Sequence, residues 1–403
     1  MRQLKNFFEK YSFITALVLY LADGVLMRSY INQLTVLSFP LVNLVQYVYY
    51  TVFALLVVKI IFFQKHEPKR TVIMLAIGAV LAVSAYKSGL RDILTVWLFA
   101  FAAADQDIDR SVWWACGTYF AMLAVVIVFC LLGVIHDDVY VRYGVTRHCL
   151  GFIQPNSMGV YGAAAVTCLL YCRRDKLGVP ELLIAVAMVA LLKIYPDSKT
   201  AYMAIILMVI MLLCYRLIKS RFNKLMGAFL ICLVIVCAMC NIFTVAISLL
   251  YNGEGIMLKL NDFSTGRFYY AHWIYSLFGI SKLGQTLPGW NAEFVIDGVK
   301  YTMPFLDSGY MNLLLRSGIV VYLLYSAIYI YAADWLRRRN MPGILIALTL
   351  YAVYGIMEPT IYTLKYNVFL LVLALPLLGY KHNEDDIDKA TQIEEHKDSE
   401  IKE

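Results

Sequence analysis

Long apolar runs separated by short polar breaks fill almost the whole chain. A bilayer core takes roughly 20 apolar residues per helix. On that measure the pattern predicts about twelve spans, with approximate cores at 12–27, 38–63, 71–86, 91–104, 112–135, 151–171, 179–195, 201–218, 225–249, 309–333, 342–357 and 365–380. The third, fourth and seventh are short, so tilting, local thinning or partial crossing is expected of them. The fold class is therefore an all-α polytopic membrane protein, with a transmembrane domain over 1–380 and an acidic tail over 381–403, too poor in hydrophobic residues to fold. No internal repeat and no inverted pair of broken helices is visible, which argues against several transporter architectures.

One polar stretch interrupts the pattern. The loop 250–308, between the ninth and tenth runs, carries LNDFSTGRFYYAHWIYSLFG, then GWNAEFVIDGVKYTMP, then FLDSGYMNLL. Its aromatics and His272, at near-helical spacing, predict a short helix along the membrane interface. Asp297-Gly298 between two strand-like runs predicts a type I′ β-hairpin over the site.

Composition agrees with the pattern. The chain is 61% hydrophobic and 16% charged, against about a quarter charged in soluble proteins, and its mean hydropathy is +0.68. The formal charge of +7 conceals an asymmetry: the tail holds 4 Lys against 9 Asp or Glu, leaving 31 basic and 19 acidic residues elsewhere. The basic residues concentrate in alternate breaks, at Arg2, Lys5 and Lys10, at Lys65, Lys69 and Arg70, at Arg110, at Arg173, Arg174 and Lys176, at Arg216, Lys219, Arg221 and Lys224, and at Arg337, Arg338 and Arg339. By the positive-inside tendency these face the cytoplasm, so the charge reports topology and not nucleic-acid binding. An even number of spans puts both termini there too. The nine cysteines have no accompanying His cluster and read as packing residues, with neither a zinc site nor a disulfide framework expected. MRQLKNFFEK before the first apolar run lacks a small-residue cleavage site, so that run is expected to be a retained helix.

This orientation sends most remaining loop polarity to the outer face, where basic residues run against the topological bias. Arg142, Arg147 and His148 precede Pro155-Asn156. A guanidinium grips phosphate oxygens bidentately; for Arg147 the competing reading is a snorkelling side chain paired with Asp137 or Asp138, and for Asn156 it is a helix cap. Lys199, in Asp197-Ser198-Lys199-Thr200, stands at the start of a span, where the helix dipole disfavours a cation unless an anion is held there with backbone N–H groups. A solvated turn balanced by Asp197 is the alternative. Arg267 follows Ser264-Thr265-Gly266 and projects a fixed charge. Asp307, immediately before a span, and Glu358, before Pro359, suit either capping or proton abstraction from a hydroxyl; Asp307 is the preferred base. Asp23 is the main polar group inside a span and reads as a packing contact.

The order of motifs resembles a known family. R-H-x-L-G-F followed by P-N, S-K-T-A, S-T-G-R and D-S-G-Y-M-N-L-L-L-R-S-G-I, over about residues 140–370, is similar to the Wzy-type bacterial polysaccharide polymerases, relatives of the O-antigen ligases. The resemblance implies a glycosyltransferase of the bacterial cytoplasmic (inner) membrane that joins undecaprenyl diphosphate-linked oligosaccharides in an outer-face cavity, without metal or other cofactor. It implicates Arg147, Lys199 and Arg267 in diphosphate binding, Lys199 standing where the family often has Arg. Asp307 falls where the ligase branch commonly has a His. Around these, Arg142, His148, Asn156, His272 and Glu358 are further candidates for substrate contact. A flippase and a chain-length regulator are the expected protein partners, and nucleic acid is not. A ligase that transfers a finished glycan, or a lipid-linked glycan transporter, remains the alternative function.

Overall fold

The computed structural model describes residues 2–379 apart from 37, 38, 65, 66, 143 and 297, and the side chains of all of these except 2–10, 36, 39 and 223. The acidic tail over 381–403 and Asp297 of the predicted hairpin turn lie outside the described residues.

The chain is predominantly helical. After α1 (Arg2–Met27) a small ribbon of β1 (Thr35–Val36) and β2 (Phe39–Pro40) leads into α2 (Leu41–Val58), which continues through a π turn to Phe63. Then come α3 (Pro68–Ser88), α4 (Asp92–Ala102) and α5 (Ile108–Leu131). An antiparallel pair, β3 (Val139–Arg142) with β4 (Val145–His148), precedes α6 (Pro155–Cys172), α7 (Val179–Ile194), α8 (Lys199–Arg221) and α9 (Met226–Leu249). Two short helices, α10 (Gly255–Phe263) and α11 (Arg267–Phe278), and a second antiparallel pair, β5 (Glu293–Ile296) with β6 (Val299–Thr302), fill the stretch before α12 (Gly309–Ser317), α13 (Ile319–Arg338) and α14 (Pro342–Tyr354). A 3-10 segment (Val368–Ala374) and α15 (Leu375–Leu378) end the described chain.

Local sequence sets several of the starts. Proline occupies the first turn of α3, α6, α7 and α14, where its missing N–H costs nothing. Asp107 caps α5 by accepting from the Arg110 N–H at 3.1 Å.

Among the described residues, six helical stretches are long and apolar enough to cross a membrane: Leu41–Phe63, α3, α5, α8, α9 and α13. Tyr11–Met27, α4, α14 and Val368–Leu378 are shorter apolar helices. This is the make-up of a polytopic membrane protein. The interior is formed by α6, α14 and the 368–375 segment, which are buried almost throughout. By contrast, only about a quarter of the Leu41–Phe63, α3 and α5 stretches is covered, and their outward faces are apolar, as contact with lipid requires. The inward face of α6 is rich in small residues, which let neighbours approach closely. A side chain at Gly159 would collide with Ser198 Oγ at 2.1 Å, so this glycine is what seats the start of α8 against α6.

Three expectations about the apolar runs change. The third is not short, because α3 has 21 residues. The run at 309–333 is two helices. Gly318 between them has φ 86°, and a Cβ there would lie 2.6 Å from the Gly284 nitrogen. The 281–285 loop fills the break, since Ile319 N–H bonds Ser281 O at 2.9 Å and Gln285 N–H bonds Arg316 O at 2.9 Å. The run at 365–380 is not a regular α-helix: 7 residues of 3-10 helix lead into 4 of α-helix. Its residues are apolar because protein surrounds them, Phe369 through Leu375 being fully buried. All nine cysteines are free. Cys237 and Cys240, spaced Cys-Ala-Met-Cys, pack unbridged inside α9.

Candidate functional site

The site lies where β4 and the first turns of α6, α8 and α11 meet the segment after α14. The buried Arg147, on β4, donates from Nε to Pro196 O at 2.7 Å and from Nη2 to Asn156 Oδ1 at 2.8 Å. Burial, together with the nearby Arg142, lowers the Arg147 pKa from its ordinary value. The pairing with Asp137 or Asp138 does not occur: Asp137 receives the Leu150 N–H and faces His148 Nδ1, both at 2.7 Å, while Asp138 accepts from the Tyr30 hydroxyl. Asn156 is not a cap. It sits inside the first turn of α6, after the N-cap Gln154, and spends its carbonyl on Arg147.

Arg267 begins α11. Its Nη1 donates to Ser264 O at 3.0 Å and Thr265 Oγ1 at 2.8 Å, and its Nη2 reaches Glu358 Oε1 at 3.2 Å and Asp307 Oδ2 at 3.5 Å. Asn261 shapes the turn before it by accepting the Gly266 N–H on its backbone oxygen and the Tyr269 N–H on its side chain, each at 2.9 Å. The Arg267 Nε is buried and has no partner among the described residues. Glu358 Oε1 also accepts from Thr200 Oγ1 at 3.1 Å. Burial first, and then the charge of Asp307, push the Glu358 carboxyl up to about 7; burial likewise raises Asp307. Two carboxyl groups around one guanidinium thus tend to hold a proton between them. Asp307 does not cap α12, whose N-cap is Ser308.

A cavity of about 580 Å³ opens beside this cluster. Arg142, Arg147, Asn156, Lys199, Thr200 and Arg267 line it together, with Asp197 as the one acidic wall residue among the described residues. Met203, Ile206, Leu207 and Ile210 of α8, Phe263 of α10, and Leu350 and Val353 of α14 make its remaining wall apolar. Lys199 is the first residue of α8 and is exposed. Asp307 and Glu358 stand behind Arg267 instead of on the wall. His148 and His272 do not line the cavity: His148 turns to Asp137, and His272 Nδ1 lies 3.0 Å from Ser248 O, between Tyr251 and Tyr275. Among the described residues no three His, Cys, Asp or Glu side chains are grouped to hold a metal ion.

Sequence reading missed Thr200 and Asn261, which aim Glu358 and Arg267. The signal for Thr200 was slight, a hydroxyl next to Lys199 at a helix start. Lys365 was also missed, although a lone lysine in an apolar run needs a partner. That partner is Asp23, at 2.7 Å.

Fold and cavity together define a helical, membrane-type protein with a basic cavity at one end of its bundle. No protein-family model, curated protein or solved structure matches the chain.

Proposed function

We propose that the chain is a membrane glycosyltransferase that polymerises undecaprenyl diphosphate-linked oligosaccharide repeats at the outer face of a bacterial cytoplasmic membrane, in the manner of Wzy-type polymerases. The observation that carries this reading is the two-sided cavity, with four basic side chains at one end and an apolar α8–α14 wall at the other. A lipid diphosphate has the same division: phosphates for Arg142, Arg147, Lys199 and Arg267, and a hydrocarbon chain for Ile206, Ile210 and Leu350.

In the reaction, a hydroxyl of the incoming repeat attacks the anomeric carbon of the growing chain with inversion. The new C–O bond forms as the bond to the diphosphate breaks, and the diphosphate leaves with the electron pair. The hydroxyl proton passes to a carboxylate, for which Asp307 is the more accessible of the two, being 30% exposed against 7% for Glu358. Arg267 stabilises the leaving charge, and the preorganised contacts to Ser264, Thr265 and Glu358 spare it reorganisation. In this arrangement the helical runs cross the membrane with both termini cytoplasmic, and the β5–β6 ribbon packs on Trp273 and Phe278 of α11.

A second reading, transport of a lipid-linked glycan without chemistry, draws on the Asp23–Lys365 pair, since ionisable groups among membrane helices are functional candidates. The deciding experiment is reconstitution of the full chain in nanodiscs with lipid-linked repeats, with and without EDTA. A ladder of products in both conditions is expected. A single transfer would indicate a ligase, and unchanged substrate would leave the transporter.

A further inference from the structure

A second polar centre lies at the same end of the bundle and takes no part in the reaction above. Asp23 is one turn before the end of α1, and its Oδ2 accepts from Lys365 Nζ at 2.7 Å. The same ammonium lies 4.9 Å from the centre of the Tyr20 ring and 5.9 Å from that of Tyr49. Arg28, just past α1, is exposed, and its charge reaches the Tyr366 ring. Asp92, half-buried at the start of α4, feels both Lys365 and Arg28. Two polar atoms here lack partners among the described residues although their residues are at most 3% exposed: Asp23 Oδ1 and the Tyr161 hydroxyl. Tyr161 packs edge-on against Tyr366, with centroids 5.3 Å apart.

The charge pattern separates this centre from the cavity. Four bases face one acid in the cavity. Here Asp23 and Asp92 stand against Lys365 and Arg28. Such a set exerts little net pull on a phosphate, yet it offers cationic donors and carboxylate acceptors side by side, as the vicinal hydroxyls of a sugar require. It is also joined to the carboxyl pair: Tyr366 feels Arg28, Asp92 and Glu358, and Tyr362 feels Asp92 and Asp307. One short segment, 358–367, thus runs from the reacting end of the cavity to this centre.

We infer that the Arg28–Asp92–Lys365 centre is a second binding place, which takes an uncharged, polyhydroxylated glycan portion of the substrate while the cavity takes its anionic lipid end. This rests on the glycosyltransferase reading, and deepens it by placing the sugar at named residues.

The test uses the full chain in nanodiscs and three probes: undecaprenyl diphosphate, the lipid-linked oligosaccharide extracted from the producing cells, and that oligosaccharide released from its lipid. The lipid-linked glycan should bind at least tenfold more tightly than undecaprenyl diphosphate. Arg28→Gln and Asp92→Asn should each erase most of that gain and weaken the released glycan, with undecaprenyl diphosphate affinity unchanged within twofold. Asp23→Asn combined with Lys365→Met removes both charges together and guards against a variant that fails only because one buried charge is stranded. Absence of the gain in the wild type, or its survival in all these variants, overturns the inference. If undecaprenyl diphosphate does not bind the wild type, the lipid-diphosphate reading of the cavity fails, while the released glycan still judges this centre.

Discussion

Glu358 Oε1 and Arg267 Nη2 meet at 3.2 Å, with Thr200 Oγ1 closing on the same oxygen at 3.1 Å. The acid that was one of two candidate bases is therefore also the group that aims the guanidinium. Arg267→Ala is expected to lower the polymerisation rate by about 10²–10³, as loss of a preorganised charge donor does. Arg267→Lys should recover only part, because an ammonium cannot make the forked contacts to Ser264, Thr265 and Glu358. Initial rates at equal protein amounts check both; full activity in the alanine variant would remove Arg267 from the mechanism.

With the Glu358 carboxyl raised to about 7 from an ordinary 4.5, folding favours its protonated form. Its contribution to stability is fully present below 4.5 and is lost as pH rises through about 7. The thermal midpoint of the wild type should fall over that window, and Glu358→Gln should flatten the decline. Thermal unfolding in detergent from pH 4.5 to 8 shows whether it does.

Asp307→Asn separates chemistry from architecture. Ser308, not Asp307, is the N-cap of α12, so the thermal midpoint should stay put. The rate should drop by about 10²–10⁴ if Asp307 takes the hydroxyl proton. An active Asn variant would transfer that role to Glu358.

Thr200→Val keeps shape and removes one donor to Glu358. The cost in stability should be about 0.5–1.5 kcal/mol. With less support for its charge, Glu358 should titrate at higher pH, moving the acid limb of the pH–rate profile upward.

Gly318→Ala should destabilise by about 1–3 kcal/mol, because a side chain there is held at φ 86° and pressed against the 282–284 backbone. A thermal midpoint equal to that of the wild type would show that the break between α12 and α13 relaxes freely.

The sequence made the helical runs legible because an apolar residue declares that it avoids water. It does not declare whether lipid or protein receives it: 365–380 reads like the lipid-facing runs, yet Phe369–Leu375 is wrapped in protein. Arg147, Lys199 and Arg267 were readable as cations that the positive-inside bias leaves unexplained, and one cavity holds all three. Their partners were not readable. Asn156, a candidate for substrate contact or for a cap, turns out to hold Arg147, and Thr200 reaches Glu358 across 158 residues. Such choices depend on which helix ends are brought level by packing, as where Gly159 admits Ser198.

The Asp23–Lys365 ion pair, finally, bears on how the protein is made. Its members are 342 residues apart; at about 5–20 residues per second of synthesis, the lysine follows the aspartate by roughly 17–70 s. Throughout that interval the first helix carries a carboxylate with no counter-charge from Lys365, so this part of the bundle is complete only when the 358–367 segment arrives. A nascent chain stopped after α13 should therefore be an early target for membrane quality control, and the pair acts as a latch that closes on finished molecules.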